Sequence, residues 1–188
     1  MKSTSKLGVA GALVCAWLSA PHAELGAQQV AEHPFQISLV TPIQAFPEED
    51  AIRGIRLNLL YGRNASVTGL DLGVVNHTTG SALGVQFGIV GLADGEFVGW
   101  QGNWINVVNG RMEGLQHGLV NWAALGQGVQ LGFVNHGTNY RGLQIALVNY
   151  ANRLNGIQLG LVNIIRHGAP FPVLPLVNWA FEDDKGGR

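Results

Sequence analysis

The chain is poor in charge, in cysteine and in long hydrophobic runs, and each shortage excludes a class of protein. Charged residues are 12% of the 188 residues, half of the ~25% found in an average soluble domain. The formal net charge of −1 offers no basic surface that could neutralise phosphates, which excludes nucleic acid as a partner. The hydrophobic fraction of 47% excludes disorder caused by excess charge.

The single cysteine, Cys15, lies in an N-terminal segment typical of an export signal. Lys2 and Lys6 precede an apolar run over residues 7–18, which is shorter than the ~20 residues of a membrane-spanning helix. We expect a signal peptide over residues 1–23, cleaved after Ala23 or Ala20; lipidation of Cys15 is the less favoured alternative. The mature chain would then have no cysteine for disulfides, nucleophiles or metal ligands.

Glycine, by contrast, is abundant and periodic. It makes up 27 of the 188 residues, twice the ~7% background. Glycines spaced 15 and then 14 residues apart open copies of the pattern G-Φ-Q-x-G-Φ-V-N, where Φ is apolar, and two degenerate copies flank them, giving ten units. We number the slots of each unit from its opening glycine: Gly54, Gly69, Gly84, Gly99, Gly114, Gly128, Gly142 and Gly156.

The units alternate between apolar and polar residues, as β-strands do. Slots 2, 4 and 6 are apolar throughout except for Gly102, His117 and Pro172, whereas slots 3 and 5 are mostly Gln and Gly. This period of two predicts a sheet with one apolar and one polar face. Two glycines in every eight residues disfavour helix. We therefore expect one all-β repeat domain over residues 34–181, after a linker over residues 24–33 and before a polar tail over residues 182–188.

Two all-β folds fit the repeat. The first is an up-and-down antiparallel β-barrel with one strand per unit, its apolar slots facing lipid and its Gln and Gly filling a narrow lumen. The turns Asp94-Gly95 and Asn109-Gly110 suit hairpins. The aromatic residues that would mark the membrane interfaces are Trp100, Trp104, Trp122, Tyr61, Tyr150 and Trp179. The second is a β-solenoid with one coil per unit, apolar slots pointing inward, Gln and Gly facing water and Asn stacked in a ladder. The alternating end of the chain, Val177, Trp179 and Phe181, favours the barrel.

The repeat also resembles the bacterial surface repeat-containing protein family, which has tandem G-Φ-Q-x-G-Φ-V-N units behind a signal peptide. The resemblance covers residues 34–181, and its motif is well kept in GLQHGLVN at Gly114, GVQLGFVN at Gly128 and GIQLGLVN at Gly156. It implies a repeat architecture and placement at the cell surface. It implies no catalytic or ligand-binding residues.

Few residues offer chemistry. His77 and His136 both follow the Asn slot and are candidate neighbours, but no third metal ligand recurs at a fixed spacing. His117 stands on the apolar face as a rim or hydrogen-bonded histidine. The acidic cluster Glu48 to Asp50 is typical of a solvated loop, and Arg56 and Asp71, which take the Gln slot in neighbouring units, are a candidate ion pair on the polar face.

These observations predict a non-enzymatic exported structural or surface protein, with no catalytic, cofactor-binding or metal-binding residues and no cofactor. We expect a small outer-membrane barrel, with membrane lipid and the barrel assembly machinery as partners. The alternative is a secreted or surface-attached β-solenoid that binds a partner along a Gln-rich face, located in the periplasm, in the medium or at the cell surface.

Overall fold

A computed structural model describes residues 30–181, and these residues form a single ten-stranded sheet wound into a β-solenoid of about nine turns. The strands are β1 (Glu32–Val40), β2 (Ile43–Gln44), β3 (Ala51–Asn64), β4 (Ser66–Thr78), β5 (Ala82–Ala93), β6 (Phe97–His117), β7 (Val120–Leu131), β8 (Val134–Ile145), β9 (Val148–His167) and β10 (Val173–Ala180). The all-β prediction is confirmed. The domain boundaries at residues 23 and 24 and the tail over residues 182–188 lie outside the described residues.

Successive repeats pair in parallel, which shows that each repeat is one coil of a solenoid. From β3 to β9 every strand is parallel to the next, and each opening glycine lies opposite the opening glycine of its neighbour. An up-and-down barrel would require antiparallel neighbours. The barrel expected first is therefore not the observed fold, and the solenoid alternative is.

The end strands close the solenoid. At the amino-terminal end, β2 pairs antiparallel with β1, and the buried Gln36 side chain exchanges two hydrogen bonds with the backbone of Phe46 (2.8 and 3.0 Å). At the other end, β10 pairs antiparallel with β9 and bulges at Pro175, where proline has no N–H to donate. The alternating Val177 and Trp179 thus belong to a capping strand and not to the last strand of a barrel.

The interior of each coil has a polar half and an apolar half. Slots 3 and 8 point inward and are fully buried in nearly every coil, as Gln116 and Asn121 show. The amide of Gln116 reaches across the coil to the carbonyl oxygen of Trp122 (3.2 Å), in the second leg of the same turn. Further along most units the inward side chains are apolar, and they form two clusters around Val108 with Met112 and around Tyr140 with Leu154. In the first coils the buried Asn64 and Thr78 take this place.

The inward Gln and Asn slots overturn one part of the solenoid expectation, which placed Gln and Gly in water and the apolar slots inside. The slot-3 glutamines from Gln86 to Gln158 are at most 1% exposed. The slot-5 glycines also face inward: a Cβ added to Gly132 would lie 2.7 Å from the carbonyl oxygen of Gly118 and 2.7 Å from Nδ2 of Asn121. The described coils consequently have no Gln-rich outer face.

The interior can be polar because coils stack at a distance that amide side chains can bridge. Nε2 of each glutamine from Gln101 to Gln158 donates to Oε1 of the glutamine one coil earlier, at 2.6–2.9 Å. Nδ2 of each asparagine from Asn106 to Asn149 donates to Oδ1 one coil later, at 2.8–3.0 Å. Buried amides that are hydrogen-bonded in this way avoid the penalty of desolvation.

The opening glycines permit this close stacking. Gly128 has a φ of +125°, and a Cβ there would collide with the carbonyl oxygen of Gly114 in the preceding coil. Only glycine combines a positive φ with such an approach at low cost. By contrast, Gly95 and Gly110 in the connectors do not have positive φ, so the hairpin turns expected at those sites are absent.

The Gln ladder begins at a buried ion pair. Nε2 of Gln86 donates to Oδ2 of Asp71 (2.8 Å), and the guanidinium of Arg56 grips the same carboxylate through Nε and Nη2, both at 2.7 Å. Arg56 also donates to the carbonyl oxygen of His77 (2.9 Å). The expected pair between Arg56 and Asp71 is confirmed, but it lies inside the coil, with side chains 0% and 4% exposed, and not on a solvated face.

Replacing Asp71 alone should therefore destabilise the fold strongly. Asp71→Gln leaves the Arg56 guanidinium buried without a counter-charge, and we expect a loss of ~3–5 kcal/mol in the free energy of unfolding. The double variant Arg56→Gln with Asp71→Gln should recover most of that loss, because the amide ladder then continues through both coils. Denaturant titration of the three proteins measures this; equal stability of the two variants would contradict it.

Candidate functional site

The outer surface at the turn between slots 5 and 7 carries an almost continuous band of unpartnered apolar side chains. We call the exposed members of slots 6 and 7 the apolar ridge. It consists of Leu39, Val40, Leu59, Leu60, Val74, Ile89, Trp104, Ile105, Leu119, Val120, Phe133, Val134, Leu147, Leu161, Val162, Leu176 and Val177. With strands ~4.8 Å apart, nine spacings make the ridge roughly 40 Å long.

The ridge contains no charged residue, and most of the exposed charged side chains within residues 30–181 lie at the opposite turn of the coil. We call that turn the charged edge, and define it by the exposed residues Asp94, Glu96, Arg111, Glu113, Arg141, Arg153 and Arg166. The molecule is thus amphipathic across its width. The apolar half of the interior lies behind the charged edge, and the Gln and Asn ladders lie behind the apolar ridge.

The backbone under the ridge has its hydrogen bonds made between coils. The N–H groups of Phe133, Val148 and Val162 donate to carbonyl oxygens one coil earlier at 3.0 Å each, and that of Leu119 donates to Trp104 at 2.8 Å. Because these four groups are paired, the ridge presents apolar side chains there without leaving those backbone donors in need of water.

Aromatic side chains flank the ridge. Trp100 lies at slot 2, and Trp122, His136 and Tyr150 form a column at slot 9. The ring of His136 stacks between its neighbours, 3.8 Å from Trp122 and 4.9 Å from Tyr150 between centroids. Trp100, Trp104, Trp122 and Trp179, expected as interfacial aromatics, are all 40–61% exposed on the outer surface.

The histidines suggested as neighbours are not brought together. The ring nitrogens of His77 bond the hydroxyl of Tyr61 and the carboxylate of Asp94, both at 2.8 Å, and the bond to His77 is the main cause that lowers the pKa of Asp94. His136 lies four coils away in the aromatic column. Within residues 30–181, no three His, Cys, Asp or Glu side chains are placed to hold a metal ion.

The acidic loop is used to fasten the first coils. Glu48 pairs with Arg63 at 3.2 Å, and Asp50 pairs at 2.8 Å with His33, whose ring stacks on Phe46. His117, by contrast, remains exposed on the apolar outer face, as a rim residue would. The ridge and the aromatic column were not predicted from the sequence, although the slot pattern contains both.

The described residues include no helix that is long and apolar enough to cross a membrane. No family model, no curated protein and no solved structure matches the chain. The resemblance to surface repeat-containing proteins therefore stays a prediction. The features that bear on function are the apolar ridge, the hydrogen-bonded backbone beneath it and the aromatic side chains beside it.

The half-buried His136 ring makes stability depend on pH. Burial disfavours the imidazolium and lowers the pKa of His136 below its ordinary 6.5, so the folded protein binds this proton less readily than the unfolded chain. The contribution is fully present above pH 6.5 and is lost as the pH falls through the folded-state pKa. His136→Phe keeps an aromatic ring in the column and removes this titration.

We therefore expect wild type to lose stability relative to His136→Phe as the pH is lowered from 7 to 5. The measurement is the free energy of unfolding by denaturant at each pH. A difference between the two proteins that stays constant over this range would show that His136 is not buried in its neutral form.

Proposed function

We propose that the protein is an exported, non-enzymatic β-solenoid that binds lipid surfaces through its apolar ridge. The observation that carries the proposal is a charge-free apolar strip, roughly 40 Å long, under which backbone N–H groups such as those of Leu119, Phe133 and Val162 bond from one coil to the next. Large exposed apolar patches mark interaction sites. A lipid environment further demands that the backbone polar groups placed in it be paired, which the coil-to-coil bonds provide.

Lipid fits this ridge better than a rigid protein partner does. The ridge follows a sharp turn, and its side chains vary in height from Trp104 and Phe133 to Val120 and Val134. Fluid acyl chains can fill the gaps between side chains of different height, whereas a flat protein surface would contact only the tallest side chains. The ridge also lacks the polar groups that give protein interfaces their hydrogen bonds.

The aromatic flanks support the same orientation. Trp and Tyr side chains have an apolar body and one polar group, and they concentrate where hydrocarbon meets headgroups. Trp100, Trp122 and Tyr150 lie beside the ridge, between it and the charged edge. With the ridge inserted, their rings would lie at that boundary and the charged edge would remain in water.

The export signal predicted over residues 1–23 would deliver the chain to the outer membrane or the cell surface. There it would lie along the lipid surface as a structural module, with its charged edge displayed outward. Nothing in this arrangement requires a cofactor. In this role the protein covers the lipid surface or attaches to it by burying its apolar side chains.

Vesicle flotation tests the proposal. We expect the protein to float with neutral phosphatidylcholine vesicles and to stay bound in high salt, because the ridge carries no charge to be screened. Leu59→Glu with Leu161→Glu, at two exposed ridge positions, should reduce binding at least ~10-fold, since each buried leucine contributes about 1.5–3 kcal/mol.

The matched control is Gln127→Glu with Asn139→Glu, which adds the same charge at exposed positions outside the ridge. This variant should float as wild type does. Binding that is equal in all three proteins would refute the assignment of the ridge. A wild-type protein that ignores vesicles and instead dimerises through the ridge would replace lipid by a second copy of the chain.

A further inference from the structure

The outer face carries a groove where two adjacent coils depart from the repeat. Slot 4 holds Gly102 in one coil and His117 in the next, whereas its neighbours in the same column are Phe87 and Leu131. At these two positions a groove of about 870 Å³ opens beside the ridge. This volume falls within the ~300–1,000 Å³ typical of sites for small molecules.

The groove is built for an apolar molecule. Trp104, Leu119 and Phe133 of the ridge line one side of it. The ring of Phe87 packs edge-on against Trp100, with centroids 4.8 Å apart, and leans over Gly102. A Cβ at residue 102 would strike the Phe87 ring and would lie 3.3 Å from Nε1 of Trp100. Glycine at residue 102 therefore leaves room for the Phe87 ring and shapes the floor of the groove.

The polar groups of the groove suit one negatively charged end on that molecule. His117, Trp100 and Trp104 line it, and no carboxylate does. Asn103 also lines it, but its amide nitrogen is bonded to Gln86 and Asn106. Nε1 of Trp100 lies at the floor, 3.3 Å from where a Cβ at residue 102 would be. Within residues 30–181 the ring nitrogens of His117, Trp100 and Trp104 make no hydrogen bond to the protein, and all three side chains are exposed. The groove thus combines apolar walls with unpaired N–H donors.

We propose that this groove binds one long-chain fatty acid, with the acyl chain along the aromatic walls and the carboxylate against His117. A single chain with one anionic end matches both the apolar lining and the unpaired donors, and a hydrogen bond to a charged acceptor is stronger than one to a neutral acceptor. The inference rests on the proposed function, because the groove opens beside the ridge that we place against lipid, where fatty acids partition.

Binding of palmitate to the purified protein, followed by tryptophan fluorescence below the micellar concentration, tests the inference. His117→Leu installs the residue most common at slot 4 and should fold as wild type does, yet palmitate affinity should fall at least ~10-fold. His117→Gln keeps an N–H donor and should retain most of the binding. His167→Leu, the same change at another exposed histidine, should leave affinity unchanged. Hexadecanol should bind wild type more weakly than palmitate and should not distinguish wild type from His117→Leu.

The outcomes separate this inference from the proposed function. Equal palmitate affinity in wild type and His117→Leu, or no palmitate binding by a protein that floats with vesicles, would overturn the fatty-acid site and leave lipid-surface binding intact. Palmitate binding that depends on His117 in a protein that does not float would confirm the groove and refute the role of the ridge.

Discussion

The structure depends on one repeated interaction, the hydrogen bond between amide side chains at the same slot of successive coils. Gln130 donates to Gln116 and accepts from Gln144, and the asparagines run beside them in the opposite sense. An inner amide such as that of Gln130 is satisfied because its neighbours lie one strand spacing away, whereas Oε1 of Gln158, the last glutamine of the ladder, has no partner within residues 30–181. Removing one glutamine would leave a buried acceptor and a buried donor without partners, so the ladder ties the registers of all its coils together.

The ladder determines what the surface looks like. Strand side chains alternate between the two faces, so placing Gln and Asn inside forces the apolar slots outward. Stability then has to come from the ladders, the backbone pairing and the apolar half around Val108 and Tyr140. The exposed ridge contributes little to folding, and its apolar side chains remain available for lipid.

Much of this could be predicted from the sequence, and each failure has a physical cause of its own. Glycine spacing and two-residue alternation give the all-β repeat, its units and the pairing of Arg56 with Asp71. The direction of strand pairing could not be predicted, because the alternation of side chains is the same in parallel and antiparallel strands. The prediction that the apolar slots fill the inside of the solenoid was wrong, because it assigned burial by hydrophobicity alone. Two features pointed the other way: Gln recurs at one fixed slot, and Asp71 and Arg56 occupy that slot together. The groove at His117 needs the actual stacking of coils, which no single unit contains.

Cysteine accessibility tests most directly whether the amides lie inside and the aliphatics outside. In a Cys15→Ser background the chain has no other cysteine, so Leu161→Cys and Gln130→Cys each report one face. Our account predicts that the Leu161→Cys protein reacts with maleimide rapidly in its native state, whereas the Gln130→Cys protein reacts only as fast as the solenoid opens, with equal rates once both are unfolded. Rapid labelling at position 130 together with protection at position 161 in folded protein would contradict the account.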